Sequence, residues 1–210
     1  MNADSGPGTN IGITDPTAAG LASYQAAITT AHTYGSRVYG YIWTNYANAG
    51  SGPAASISTI ENEINQWVTY YPGIDGVFFD GTSTQTSGVS FYQKIDTYAK
   101  RRALKVIFSP GAVPAQSYMS IDPTSIVVDF EGTGDTYTQT SFPSWTASYG
   151  PARFANLVYA TGSGSVSTIA SRARMNNVGN LYVTDGTLPN PWGQLASYFF
   201  SAELPAFAPK

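Results

Sequence analysis

The stretch Ile74-Asp75-Gly76-Val77-Phe78-Phe79-Asp80-Gly81 constrains this chain more than any other. Val77, Phe78 and Phe79 form an unbroken apolar run between Gly73 and a polar loop that reaches Gly88. A run without alternation predicts a short strand covered on both faces, the kind found in parallel sheets. It closes on an aspartate, and in parallel α/β folds reactive groups gather at the C-terminal ends of strands. A second run of this kind, Ser125-Ile126-Val127-Val128-Asp129-Phe130-Glu131-Gly132, again ends in an acid.

Around these two strands the chain alternates. Leu21, Tyr24, Ile28 and Ala31 lie on one helical stripe that Gly35 ends. A strand follows over Arg37 to Thr44. Ile57, Ile60, Ile64 and Trp67 mark a second helix, with Ser58 and Glu61 spaced as a capping box. After strand 75–80 come a helix around 90–103, a strand from Lys105 to Phe108 and a short helical turn near 115–121. Strand 125–131 leads into a Thr/Ser/Tyr-rich connection with Trp145 that fits no pattern. Then follow a strand from Ala155 to Ala160, a helix near 166–178 and a strand from Leu181 to Thr184. Pro191, with Asn190 before it, predicts the start of a last helix. Strands alternating with helices predict a parallel sheet with right-handed crossovers. A (β/α)₈ barrel of about 250 residues would need two strands more than these six, whereas an open doubly wound sheet could stop here. No Gly-x-Gly-x-x-Gly turn follows an early strand, which weakens a dinucleotide-binding reading.

Several functions are excluded cheaply. With 210 residues the chain makes one domain, 1–210, with room for a sizeable core. Charged residues are only 11% and the net charge is −3, so no basic patch offers itself to nucleic acid. The single cationic cluster, Lys100-Arg101-Arg102 with Lys105, falls at a predicted helix end, where it complements the helix dipole. Cysteine is absent, and His32 is the one histidine, beside a helical stripe and far from any strand end. That argues against a Ser-His-Asp triad and against Cys- or His-built metal sites, and no cofactor is implied. No apolar run approaches the roughly 20 residues of a membrane span. Ser5-Gly6-Pro7-Gly8 reads as a turn, since proline removes an N–H that a phosphate nest would need.

Carboxylate chemistry remains. Glycoside hydrolysis needs two acids roughly 5–9.5 Å apart. One strand lies between 75–80 and 125–131 in the sequence, and neighbouring strands are about 4.8 Å apart, so Asp80 and Glu131 could converge across a barrel mouth. The alternative is that each acid only caps a loop. Asp129 should share a strand face with Glu131 by the period of two, as a supporting carboxylate. Aromatic residues are 14% of the chain, and flat rings with a polar edge suit sugar rings. Tyr39, Tyr41 and Trp43 alternate on one strand. Tyr46, in the loop after it, and Trp192, near a strand end, are the less core-like rings. Tyr41, Thr44, Tyr46, Asp129, Tyr159, Asp185 and Trp192 are the candidate substrate-binding residues, with Asp80 and Glu131 the candidate catalytic pair.

Six segments in order resemble the spherulin-4 family, which includes glycoside hydrolase family 135. They are Asn-Ala-Asp-Ser-Gly-Pro-Gly (2–8), Gly-Tyr-Ile-Trp-Thr-Asn-Tyr (40–46), Asp-Gly-Val-Phe-Phe-Asp (75–80), Ser-Pro-Gly (109–111), Val-Asp-Phe-Glu (128–131) and Leu-Tyr-Val-Thr-Asp…Asn-Pro-Trp (181–192). The resemblance implies a secreted or cell-surface (β/α)₈ TIM-barrel-type enzyme that cuts an α-1,4-linked galactosaminogalactan-like polysaccharide within the chain, with retention; a monomer is expected. It implies acids at Asp80 and Glu131. It also implies that the first two strands of the barrel are missing from this sequence, an N-terminal truncation. Three positions depart from the family pattern. Gly81 stands where an Asp-Glu pair would place its second acid, Ala3 where proline is usual, and Ser109 where asparagine is usual. If Asp80 and Glu131 are the nucleophile and the acid/base, Gly81 removes only a supporting carboxylate that tuned their pKa values. If the absent acid transferred the proton, the chain would be a slow enzyme or a non-catalytic polysaccharide-binding or cell-surface protein. A fragment with no activity of its own is the remaining reading.

Overall fold

A computed structural model describes residues 1–3, 5–8, 19–50 and 55–207. Most of the loop expected over residues 1–20, and residue 4 of the first motif, lie outside these. The chain gathers into two compact units, Met1–Ser109 with Pro114–Ser125, and Pro110–Val113 with Ile126–Lys210. Among the described residues there are six strands alternating with helices or short helical turns, the (β/α) alternation expected from the sequence.

In the first unit, three parallel strands, β1 (Tyr39–Trp43), β2 (Gly76–Asp80) and β3 (Lys105–Ser109), are joined by the helices Ile57–Tyr70 and Val89–Lys100. A further helix, Ala19–Thr33, precedes β1. Burial alternates along each strand. Ile42, Val77, Phe79, Val106 and Phe108 are buried in one core with Ile60, Ile64, Trp67, Tyr92 and Ile95 of the helices. On the other face Tyr39, Tyr41, Phe78 and Ile107 are only half-buried, and they line a cavity of about 330 Å³. The unbroken Val77-Phe78-Phe79 run is therefore not covered equally on both sides. Phe78 is the exception because its face of the sheet borders that cavity. Met1 continues the ladder beside β1: its ammonium donates to Tyr39 O at 2.6 Å, and Tyr41 N donates to Met1 O at 2.9 Å.

Helix Ile57–Tyr70 is capped by Ser56, whose hydroxyl accepts from Thr59 N at 3.0 Å, two residues before the expected capping box. Ile57 already lies inside the helix, which fixes the cap ahead of it. The cationic cluster does sit at a helix end. Lys100 pairs with Asp122 at 3.4 Å, and Arg102 lies over the Tyr98 ring and donates to Asn65. His32 pairs with Asp75 at 2.9 Å, at the opposite end of β2 from Asp80, in a structural role.

In the second unit, β4 (Ile126–Thr133), β5 (Phe154–Tyr159) and β6 (Asn180–Val183) are again parallel. The connection that fitted no pattern forms the short helix Gly134–Gln139 and single turns at Ser144–Ser148 and Pro151–Arg153. There Trp145 packs on Tyr149 and Phe154. Helix Val166–Met175 follows β5. The helix expected from Pro191 does not form. Asn190 Oδ1 accepts from Trp192 N, and the Tyr182 hydroxyl both donates to Gln194 O and accepts from Ala196 N. These bonds satisfy the backbone groups a helix would use. Helical structure resumes only as a π turn, Phe199–Glu203, and the short helix Leu204–Phe207.

Candidate active site

In the first unit the parallel register sets Trp43, Asp80 and Ser109 side by side at the C-terminal strand ends. Asp80 is half-buried, and its Oδ2 accepts a 3.0 Å hydrogen bond from the Tyr41 hydroxyl. Burial, and next the negative charge of Asp80, push the Tyr41 phenol well above its ordinary pKa, so it stays a donor. Tyr46 and Trp43 meet edge to face at 5.4 Å, with Trp43 36% and Tyr46 41% exposed. Thr44 lies elsewhere than a substrate contact would need: it is 0% exposed. Its hydroxyl bonds Asp80 O at 2.9 Å, Gly81 O at 2.8 Å and the Tyr92 hydroxyl at 3.0 Å, holding the backbone that carries Asp80.

Gly81 has a left-handed backbone, φ +58°, and a Cβ there would lie 2.5 Å from Cζ3 of Trp43. The indole occupies the space that a side chain after Asp80 would need. Glu63, which the sequence reading passed over, brings a second carboxyl towards this end of the unit. It is half-buried, with Oε2 3.6 Å from where a Cβ on Gly6 would stand. Burial raises its pKa to about 7, and its charge also acts on Tyr41. A glutamate on the polar side of a helical pattern carries no local sign of this, because the Gly6 backbone that its Oε2 approaches is distant in the sequence. Trp43 was equally overlooked as a site residue, although its place in the Tyr39-Tyr41-Trp43 alternation was the available signal.

In the second unit Glu131 is exposed near the end of β4 and accepts a 3.2 Å hydrogen bond from the Trp192 indole N–H. Its own N–H donates to Gly111 O at 2.8 Å, so the Pro110–Val113 segment is laced to the strand at this residue. Tyr159 meets Trp192 edge to face at 5.9 Å. Asp185 is exposed beyond β6, and a 2.7 Å bond from the Ser197 hydroxyl holds its carboxyl below the usual range. Asp185, Asn190, Gln194 and Ser197 border a polar cavity of about 510 Å³.

Asp129 does not stand beside Glu131. The β4–β5 register shifts between Val128 and Phe130, and this bulge breaks the alternation on which a shared face depended. Asp129 is 1% exposed and accepts a 2.7 Å hydrogen bond from Asn156, whose own Oδ1 accepts from the buried Tyr137 hydroxyl. Burial raises its pKa to about 7 despite that hydrogen bond. Thr44 and Asp129 are thus internal supports, whereas Tyr41, Tyr46 and Asp80 come together in one unit and Glu131, Tyr159, Asp185 and Trp192 in the other. Among the described residues, no three His, Asp or Glu side chains gather as a metal cluster would require, and no helix is long and apolar enough to cross a membrane.

Comparison with known proteins agrees with these motifs. The chain is 27% identical over 175 residues to Spherulin-4 of Physarum polycephalum, a match that takes in 78% of this chain and 50% of that protein. The chain thus spans about half the length of the curated relative it matches. Its fold is that of Aspergillus clavatus Sph3, solved in complex with GalNAc, with a TM-score of 0.77 at 18% identity over 99% of this chain and 84% of Sph3. The fold is accordingly of the (β/α)-barrel type, with six β/α units among the described residues. The profile of spherulation-specific family 4, Spherulin4, matches residues 1–202, and the chain belongs to that family.

Proposed function

We propose that the protein is a glycoside hydrolase acting on an amino-sugar polysaccharide, with Asp80 and Glu131 as its two reacting carboxyls. One carboxylate attacks the anomeric carbon while the other carboxyl gives its proton to the departing glycosidic oxygen, leaving a glycosyl ester. Water then displaces that ester, giving its proton to the second group, and the configuration is retained. The observation that carries the reading is that each acid lies at or near the C-terminal end of its strand, engaged by an aromatic donor: Tyr41 on Asp80 and Trp192 on Glu131. Such donors stabilise a carboxylate without replacing its reactivity, and the rings beside them suit the apolar faces of sugars. The GalNAc bound in the structure of Sph3 and the family membership support carbohydrate as the ligand class. The proposed enzyme acts outside the cell as a monomer, on galactosaminogalactan-like polymer.

The second reading, a polysaccharide-binding protein without turnover, is favoured by Gly81, since no acid follows Asp80. Incubation with partially N-acetylated α-1,4-galactosaminogalactan, with reducing ends measured over time, separates the two. Hydrolysis in the parent protein, with Asp80→Asn and Glu131→Gln each at least 100-fold slower, is the expected result. Binding without any release of reducing ends establishes the second reading instead.

A further inference from the structure

Gly81 has consequences beyond the absence of an acid. Its φ of +58° is a conformation that side chains rarely adopt, and the space a Cβ would take is filled by the Trp43 indole. The neighbouring loop is tied to the same backbone: Tyr46 N donates to Gly81 O at 2.6 Å and Thr44 N to Asp80 O at 2.9 Å. Asn45, Tyr46, Ala47 and Asn48 follow with φ of 47°, 54°, 57° and 70°, four consecutive left-handed residues. Asparagine tolerates this region, but Tyr46 and Ala47 are held there against their own preference. A sequence tolerates such a run where the surrounding bonds enforce it, and these runs cluster at ligand sites. Here the run sets the Tyr46 ring edge to face against Trp43, with both rings partly open to solvent at the strand end that bears Asp80.

We propose that Trp43 and Tyr46 form a stacking subsite for the apolar face of a pyranose ring beside Asp80, and that Gly81 is the positioning residue that creates it. The proposal rests on the carbohydrate reading above and deepens it. Two rings at right angles, one with a hydroxyl edge, offer an apolar wall and a polar rim to a single sugar. Either a protein or a lipid partner would call for a broader apolar area. Any side chain at position 81 would drive the indole from its seat, so an acid after Asp80 and this platform exclude one another.

The test is a double-mutant cycle read by calorimetric binding of an N-acetylgalactosamine oligosaccharide to protein carrying Asp80→Asn, which prevents turnover. Trp43→Ala should weaken binding roughly tenfold and Trp43→Phe less. Gly81→Ala should weaken it comparably when Trp43 is present and add nothing in the Trp43→Ala background. With Asp80 intact, Trp43→Ala should raise KM and leave kcat close to the parent value. Unchanged binding in Trp43→Ala and Tyr46→Ala, equal losses from Gly81→Ala in both backgrounds, or no binding by the parent would overturn the proposal. Binding that depends on Trp43, in a protein that releases no reducing ends, would leave the subsite standing and remove the hydrolase.

Discussion

Asp129 sits in an apolar interior that its place near a strand end does not announce. Its folded-state pKa, about 7, lies above the ordinary value of 3.8 because burial disfavours the charge. Between those two values the folded chain holds more protons than the unfolded one, so this group's contribution to stability is greatest below pH 4 and is lost as pH rises through about 7. Asparagine could accept the same hydrogen bond from Asn156 without the charge. Asp129→Asn should therefore be more stable than the parent at pH 8, by about 1–3 kcal/mol, with little difference at pH 4. Urea unfolding midpoints at the two pH values measure this, and parallel profiles for parent and variant would refute it.

At the scale of elements, β1 and the helix Ile57–Tyr70 meet where a glycine makes room for a tryptophan. A Cβ on Gly40 would lie 2.5 Å from Cδ2 of Trp67, a fully buried ring whose Nε1 also donates to Tyr41 O at 3.0 Å. The ring has nowhere to retreat, so Gly40→Ala should cost about 1–3 kcal/mol in chemical denaturation. Displacement of Trp67 would also disturb the strand carrying Tyr41, and with it the donor to Asp80. A variant as stable as the parent would show that the layer yields more easily than its geometry implies. The element boundaries also mark how far local signals reach. Apolar patterning places the six strands of the described residues to within two residues at each end, and the stripe from Ile57 to Trp67 falls inside the helix Ile57–Tyr70. The helix expected at Pro191 failed because its cap signal was real but local: Asn190 turns the chain at Trp192, and Tyr182 takes up the groups beyond.

Across the molecule, two further carboxyls, Glu63 and Glu203, behave as Asp129 does. Burial raises Glu63, Asp129 and Glu203 each to about 7. Glu203 is buried, with Oε1 accepting from Val183 N at 2.8 Å and Oε2 facing no partner among the described residues, an arrangement suited to the protonated form. All three act with one sign, so their joint contribution to stability falls as pH rises from about 4 through 7. The protein should melt at a lower temperature at pH 8 than at pH 5 by several degrees. Glu63→Gln and Glu203→Gln should each reduce that difference, which scanning calorimetry at the two pH values would register.

The sequence by itself determined the alternation of strand and helix, the family, and the two strand ends that bear Asp80 and Glu131. These rest on periodicity and on short ordered motifs, which are properties of neighbouring residues. Tertiary structure alone decided that Thr44 and Asp129 turn inward, that Glu63 is half-buried, and that Trp43 fills the space beside Gly81. Each of those outcomes depends on a bulge, a left-handed glycine or a contact between segments distant in the chain. Burial and close approach of that kind are set by what packs against a residue, and its neighbours in sequence carry no record of it.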